Sequence, residues 1–273
     1  MCLLAILWQR HPRYRLVLAA NRDEFHAREA APAAPWADAP QLLAGRDLQA
    51  GGTWLGLSRD RRFGVITNYR ELDRPRSDAP SRGGLIPSYL SAATAPADYL
   101  RTLEADAAAY AGFSLLIGDR DSLWLASNRG GAFATPLAPG LYGLSNHALD
   151  TPWPKLLRLR RQVEVWAGSK TDPAADAETL LRMLDDRRRE AHATASTSGL
   201  GADWDHALSS PFVEHPQYGT RCSTVLLIEH DGAVQLCERR FAASGAASGC
   251  NEWQLNAHEW PDAHGNRSPP AGL

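Results

Sequence analysis

The sequence predicts an α+β protein of packed, mainly antiparallel sheets covered by helices, and three observations carry this. Four pairs of apolar, β-branched or aromatic runs are each split by a short polar turn, the mark of a hairpin. Helical patterns fall between the hairpins rather than alternating with single strands, which argues against a doubly wound parallel sheet. With 273 residues and 44% hydrophobic content, the chain can fill a complete core in one large domain.

The first hairpin runs from Cys2 to Trp8, turns through Gln9-Arg10-His11-Pro12-Arg13 and returns to Asn21-Arg22-Asp23-Glu24. A symmetric hairpin pairs residues whose numbers sum to about 23, so Cys2 faces Asn21 with Asp23 on the same face. Residues 54–57 and 63–67 flank the charged turn 58–62 as a second hairpin. Residues 113–117 and 123–126 flank Gly118-Asp119-Arg120-Asp121 as a third. Residues 222–228 and 233–237 flank Glu229-His230-Asp231-Gly232 as a fourth. Helices are expected over 83–90 with 97–109, over 153–166 and over 177–184. Pro152 and Pro154 suit the opening of the second of these, and Leu180, Leu181 and Leu184 form the apolar side of the last. Residues 191–205 read as a flexible loop. One domain is expected over 1–241, followed by a flexible tail over 242–273.

Net charge is −2, from 29 basic and 31 acidic residues, so no global field recruits nucleic acid or an acidic membrane. No stretch has the length and apolarity of a membrane span, and no signal-peptide pattern opens the chain, so a cytoplasmic location is expected. Four cysteines without CxxC or Cys/His ligand spacing indicate free thiols, with neither a disulfide framework nor a metal site. His26, His147, His206 and His215 are dispersed, and no GxSxG elbow is present.

Cys2 carries the most chemical information. If Met1 is removed, residue 2 bears both a thiol and a free amine, a nucleophile with its own base. The ordinary alternative is a small buried hydrophobe. The run from Gly45-Arg46-Asp47 to Gly51-Gly52-Thr53-Trp54-Leu55-Gly56 packs four glycines before a strand, where N–H groups can meet an anion or oxyanion; a tight turn is the alternative. Thr67-Asn68-Tyr69-Arg70 ends a strand and Ser81-Arg82-Gly83 opens a helix. Arg70 and Arg82, with Arg22, Arg46 and Arg221 at other strand and loop ends, could converge on an anionic substrate. Asn146, at the end of Gly143-Leu144-Ser145-Asn146, is either a turn residue or an oxyanion donor. Cys222 sits inside a strand pattern and reads as packing.

Taken in order, these motifs, together with Met1-Cys2-Leu3-Leu4 and Tyr218-Gly219-Thr220-Arg221, resemble the NRDE family, also called transport and Golgi organisation protein 2-like. The resemblance runs from residue 1 to about 241. It implies kinship with the N-terminal nucleophile hydrolases and an αββα sandwich of two antiparallel sheets between helical layers. Cholylglycine and penicillin V acylases also begin Met-Cys and carry Arg-Asn-x-Asp on the second strand. Here Asn21 and Asp23 match their asparagine and aspartate, and Asn146 is similar to their later oxyanion asparagine. Ala20 stands where they have arginine.

Two functions follow from the resemblance. In the first, a hydrolase acts on a linear C–N or acyl bond of a small anionic substrate without a cofactor. Cys2 attacks, Asp23 orients its amine, Asn21 and Asn146 hold the oxyanion, and Arg22 and Arg221 tune the site. Arg46, Gly52, Thr53, Trp54, Asn68, Arg70 and Arg82 bind substrate. In the second, the pocket holds haem, lipid or an acyl-CoA-like ligand without catalysis. The oligomeric state does not follow from the sequence.

Overall fold

The computed structural model describes residues 3–71, 79–169, 172–190 and 201–261, so Cys2 lies outside the described residues. One sheet has six strands: β1 (Leu3–Trp8), β2 (Tyr14–Phe25), β10 (Gly140–Leu144), β11 (Tyr218–Glu229), β12 (Val234–Phe241) and β13 (Ala247–Leu255). Their spatial order is β10-β1-β2-β11-β12-β13. The other sheet has seven: β3 (Ala30–Trp36), β4 (Ala39–Asp47), β5 (Leu55–Ser58), β6 (Phe63–Asn68), β7 (Phe113–Gly118), β8 (Leu123–Ser127) and β9 (Ala134–Pro136), in sequence order. The pairings are antiparallel. Helices are α1 (Leu85–Ser91), α2 (Pro96–Asp106), α3 (Pro154–Ala167), α4 (Pro173–Leu184) and α5 (Ala202–Ala207).

Strand alternation sorts the side chains into layers. Leu4, Ile6 and Trp8 of β1 and Leu16, Leu18 and Ala20 of β2 point between the sheets, where they meet Leu55, Leu57, Phe63 and Val65. Leu3, Ala5, Leu7, Val17 and Ala19 point the other way, onto Leu156, Leu159 and Val163 of α3 and Leu180, Leu181 and Leu184 of α4. The outer face of the second sheet, including Ile66, Leu115 and Ile117, packs on Leu85, Ile86 and Tyr89 of α1 and Leu100 of α2. Each wholly buried leucine contributes about 1.5–3 kcal/mol relative to exposure. Both sheets are therefore apolar on two faces, and the result is four layers, α–β–β–α.

The four expected hairpins form, and the helices over 83–90, 97–109, 153–166 and 177–184 appear with shifted ends. Three expectations need correction. The first hairpin pairs Leu3 with Asn21 and Trp8 with Leu16, one residue from the symmetric register, with Gln9 in the left-handed region (φ 48°). Residues 242–261 are not a flexible tail. Ala247–Leu255 forms β13 on the free edge of β12, and Leu255 lies 7% exposed in the core between the sheets. The expected loop over 191–205 falls partly outside the described residues, and its described end carries α5.

Candidate active site

At one mouth of the sandwich the start of β1, the end of β2, the end of β10 and the start of β11 meet. Leu3 pairs with Asn21, Leu4 with Leu144, and Asn21 with Ser223. Asp47 at the end of β4 and Asn68 at the end of β6 reach the same region from the opposite sheet, as their contacts below show.

Arg22 shares the inward face of Ala20 and enters the space between the sheets. Its guanidinium lies 4.3 Å from the centre of the Trp54 ring and 3.4 Å from Asp47 Oδ2. Asp47 Oδ2 also accepts from Arg28 Nε at 2.7 Å, and Asp47 Oδ1 from the Gln49 and Ala50 N–H groups at 3.0 Å. Burial pushes the Asp47 carboxyl up, but the Arg28 bond, the Ala50 N–H and the charges of Arg28 and Arg22 together hold it below the usual carboxylate range. Arg22 is thus fixed by a carboxylate that stays ionised. Behind it, Cys222 pairs with Arg22 across the ladder; burial and nearby Glu238 push its thiol up, so it is a packed thiol as expected.

The glycine-rich block works by close packing. The Gly45 Cα approaches Trp54 so closely that a Cβ there would sit 2.4 Å from the ring, and a Cβ on Gly52 would meet the Gly83 carbonyl at 2.3 Å. Thr53 N–H donates to Gly83 O at 3.0 Å, Gly51 N–H donates to Asp47 O at 2.8 Å, and the Thr53 hydroxyl donates to Leu55 O at 2.9 Å. The Thr53 groups and the Gly51 N–H are committed inside the protein and offer no donors to an anion, while Gly52 shapes the wall by its close approach to Gly83. Trp54 forms that wall as a platform for Arg22.

Asn21 and Asp23 face the helices, not the space between the sheets. Asn21 is fully buried. Its Nδ2 donates to Leu184 O and Pro211 O, both at 2.9 Å, and its Oδ1 accepts from Ser223 Oγ at 2.6 Å. That amide is a strut between β2, β11 and the end of α4, and it has no donor left for an oxyanion. Asp23 Oδ1 accepts from Thr220 Oγ1 at 2.7 Å. Burial raises the Asp23 carboxyl above its usual range, while the charge of Lys155 in the first turn of α3 opposes that rise. Lys155 is itself only 4% exposed. It was invisible in the sequence, because lysine in a helix is normally solvated.

Lys155→Met is expected to destabilise the protein by about 3 kcal/mol at pH 7, because it strips compensation from a buried carboxylate. The folded-state pKa of Asp23 lies above its unfolded value, so as pH falls the folded state takes up the proton first. The gap to the parent should therefore narrow between pH 7 and pH 5. Urea unfolding of both proteins at the two pH values measures this, and a pH-independent gap contradicts it.

The end of β10 is tied to the end of β6 across the mouth. Asn146 Nδ2 donates to Asn68 O at 3.0 Å, and Arg70 N–H donates to Asn146 O at 2.9 Å. Asn68 presents its carbonyl here, with its side chain exposed. Arg82 Nη1 donates to Gly112 O at 2.8 Å, which also accepts from Tyr69 N–H. The expected convergence of five arginines does not occur. Arg46 forms a two-point pair with Asp38 at 2.6 and 2.8 Å and lies over Trp36. Arg221, in the bulge that separates Thr220 and Cys222 on β11, donates to His26 Nδ1 at 3.0 Å. His26 Nε2 then carries the proton and donates to His215 O at 3.0 Å.

Just outside the Arg28–Asp47 pair an open groove of about 540 Å³ is lined by Glu24, Phe25, Ala27, Arg28, Glu29, Leu48 and Gln49. Among the described residues no group of three or more His, Cys, Asp or Glu could hold a metal ion, and no helix is long and apolar enough to cross a membrane.

Comparison with known proteins gives concordant sequence matches. Residues 1–243 match the model of the family described as Transport and Golgi organisation 2. The Transport and Golgi organization protein 2 homolog of Bos taurus is 33% identical over 95% of this chain and 99% of its own length. The Homo sapiens homolog is 31% identical over the same shares. Among solved structures, a Caenorhabditis elegans N-acylethanolamine-hydrolyzing acid amidase ortholog superposes with a TM-score of 0.49 at 9% identity, over 83% of this chain and 92% of its own.

Proposed function

This chain belongs to the Transport and Golgi organisation 2 family, and we propose that it is a hydrolase of small anionic amides or acyl compounds whose nucleophile is Cys2 at a processed N-terminus. The observation that carries this reading is the convergence of two ladders on the start of β1. Leu3, the first described residue of β1, pairs with Asn21 on one side and Leu4 with Leu144 on the other, so β1 opens on the mouth that holds Arg22 and Asn146. In this reading the Cys2 thiol acts with Arg22 and its amine with Asp23.

The reaction needs residue 2 to be the mature N-terminus. Its α-amine, with an ordinary pKa near 7.7–8.0, takes the thiol proton close to neutral pH. The sulfur forms a bond to the substrate carbonyl carbon, and the carbonyl π electrons move to oxygen. One Asn146 Nδ2 hydrogen is spent on Asn68 O and the other is available to the oxyanion, while Arg22 lends positive charge beside it. Collapse breaks the C–N bond, and the leaving amine carries away the proton held by the α-amine. Water then hydrolyses the thioester, releasing the acid and restoring the thiol. Asp23 keeps the α-amine oriented. A cytoplasmic setting suits this chemistry, because it keeps thiols reduced.

Labelling with a chloroacetamide at pH 7, followed by peptide mass analysis of each cysteine, tests the reading. Cys2 should react at least about tenfold faster than exposed Cys250. Cys222 and Cys237 should lag well behind, since burial pushes both thiols up, Cys237 to about 12. Labelling of Cys2 no faster than Cys250 sinks the proposal.

A further inference from the structure

Of the five arginines that the sequence sets at strand and loop ends, four are spent on the protein itself: Arg22 on Asp47, Arg46 on Asp38, Arg82 on Gly112 O and Arg221 on His26. Arg70 differs. Its backbone is pinned to Asn146 O, yet among the described residues its guanidinium has neither ion pair nor hydrogen bond, and it lies over the Trp153 ring, 5.4 Å from the ring centre. Trp153 belongs to an aromatic rim, in which His147 lies 6.1 Å from Trp153 and 5.0 Å from Tyr69, with its Nδ1 3.0 Å from Thr151 Oγ1. A half-buried guanidinium over an indole, with its donors unspent, can take two oxygens of one anion.

We infer that Arg70 reads the anionic group of the ligand, a carboxylate or phosphate carried beside a flat or apolar body that rests against Trp153, His147 and Tyr69. The inference takes its location from the hydrolase reading. Arg70 stands at the mouth through its N–H bond to Asn146 O, the residue that the hydrolase reading sets at the oxyanion. The ligand class is therefore a small amide with one acidic group beside a flat or apolar body. Fatty amides without an acid, and polyanions needing several arginines, are poor fits.

Binding separates this inference from catalysis. The probes are N-acetylphenylalanine, its neutral carboxamide and phenyl phosphate, titrated by calorimetry into the parent, Cys2→Ala, Arg70→Gln and Arg82→Gln. The parent and Cys2→Ala should prefer an anion over the carboxamide by at least about tenfold, the scale of a two-point charge-assisted contact. Arg70→Gln should bring that ratio close to one and leave carboxamide binding unchanged, because the Asn146 bond is made by its backbone. Arg82→Gln should keep the preference. Preference for N-acetylphenylalanine makes the anion a carboxylate, and preference for phenyl phosphate makes it a phosphate. An undiminished ratio in Arg70→Gln, loss of the ratio in Arg82→Gln instead, or no anion binding at millimolar concentration overturns the inference. A Cys2→Ala protein that binds normally, beside a parent without turnover, leaves the Arg70 assignment standing while the hydrolase reading fails.

Discussion

Cys2→Ala is expected to lose hydrolysis of any amide that the parent turns over by at least about a thousandfold, with unfolding by urea unchanged. The size of the effect follows from where the other thiols sit: exposed Cys250 is on β13, three strands from β2 in the sheet order. Cys222 is buried in the wall behind Arg22, with its thiol pushed up by burial, and Cys237 faces the helical layer. Neither can attack. A residual activity above one tenth of the parent would mean that another group carries the chemistry. A Cys2→Ser variant keeps a nucleophilic atom but a far less acidic one, so it should fall between the two.

Asn21→Leu is expected to act on stability, lowering the unfolding free energy by about 4 kcal/mol. Leu184 O, Pro211 O and Ser223 Oγ would each lose a buried partner, and an unsatisfied buried group costs about 1–3 kcal/mol. The part of the cost that rearrangement recovers is limited, because the site has no exposure to water. An oxyanion role for Asn21 predicts the opposite pattern, lost turnover in a protein of parental stability. Urea midpoints and slopes of the two proteins decide between them, and a difference below about 1 kcal/mol contradicts the strut.

That contrast shows where the sequence was legible. The hairpins announce themselves through turns such as Glu229-His230-Asp231-Gly232, whose glycine takes φ 101° between two apolar runs. The register of the first hairpin does not announce itself. The chain uses Gln9 in a left-handed conformation and closes the loop with Gln9 N–H donating to Arg15 O at 2.8 Å, which displaces the pairing by one residue. A slip of one residue exchanges the faces of a strand. Asn21 therefore belongs to the helical side, and Arg22 belongs to the space between the sheets.

Other elements were hidden by composition. Ala30–Trp36 carries Pro32 and Pro35 and is not among the elements expected from the sequence, yet it forms the edge strand β3, where a missing N–H is tolerated. Residues 247–255 follow a Gly- and Ser-rich stretch and read as part of a tail, but the free edge of β12 gives their backbone a partner. The arginines were legible as candidates and not as a set. Their partners Asp38, Asp47, Gly112 and His26 are brought to them only by tertiary packing, and that packing leaves the Arg70 guanidinium over Trp153.

The central claim is that the site is built around a free amine on Cys2, so the direct measurement is the intact mass of the purified protein from native expression. The account predicts a mass lower than the full sequence by one methionine residue, with Cys2 as the first residue found by N-terminal sequencing. A protein that retains Met1 has no base at position 2, and that result contradicts the account.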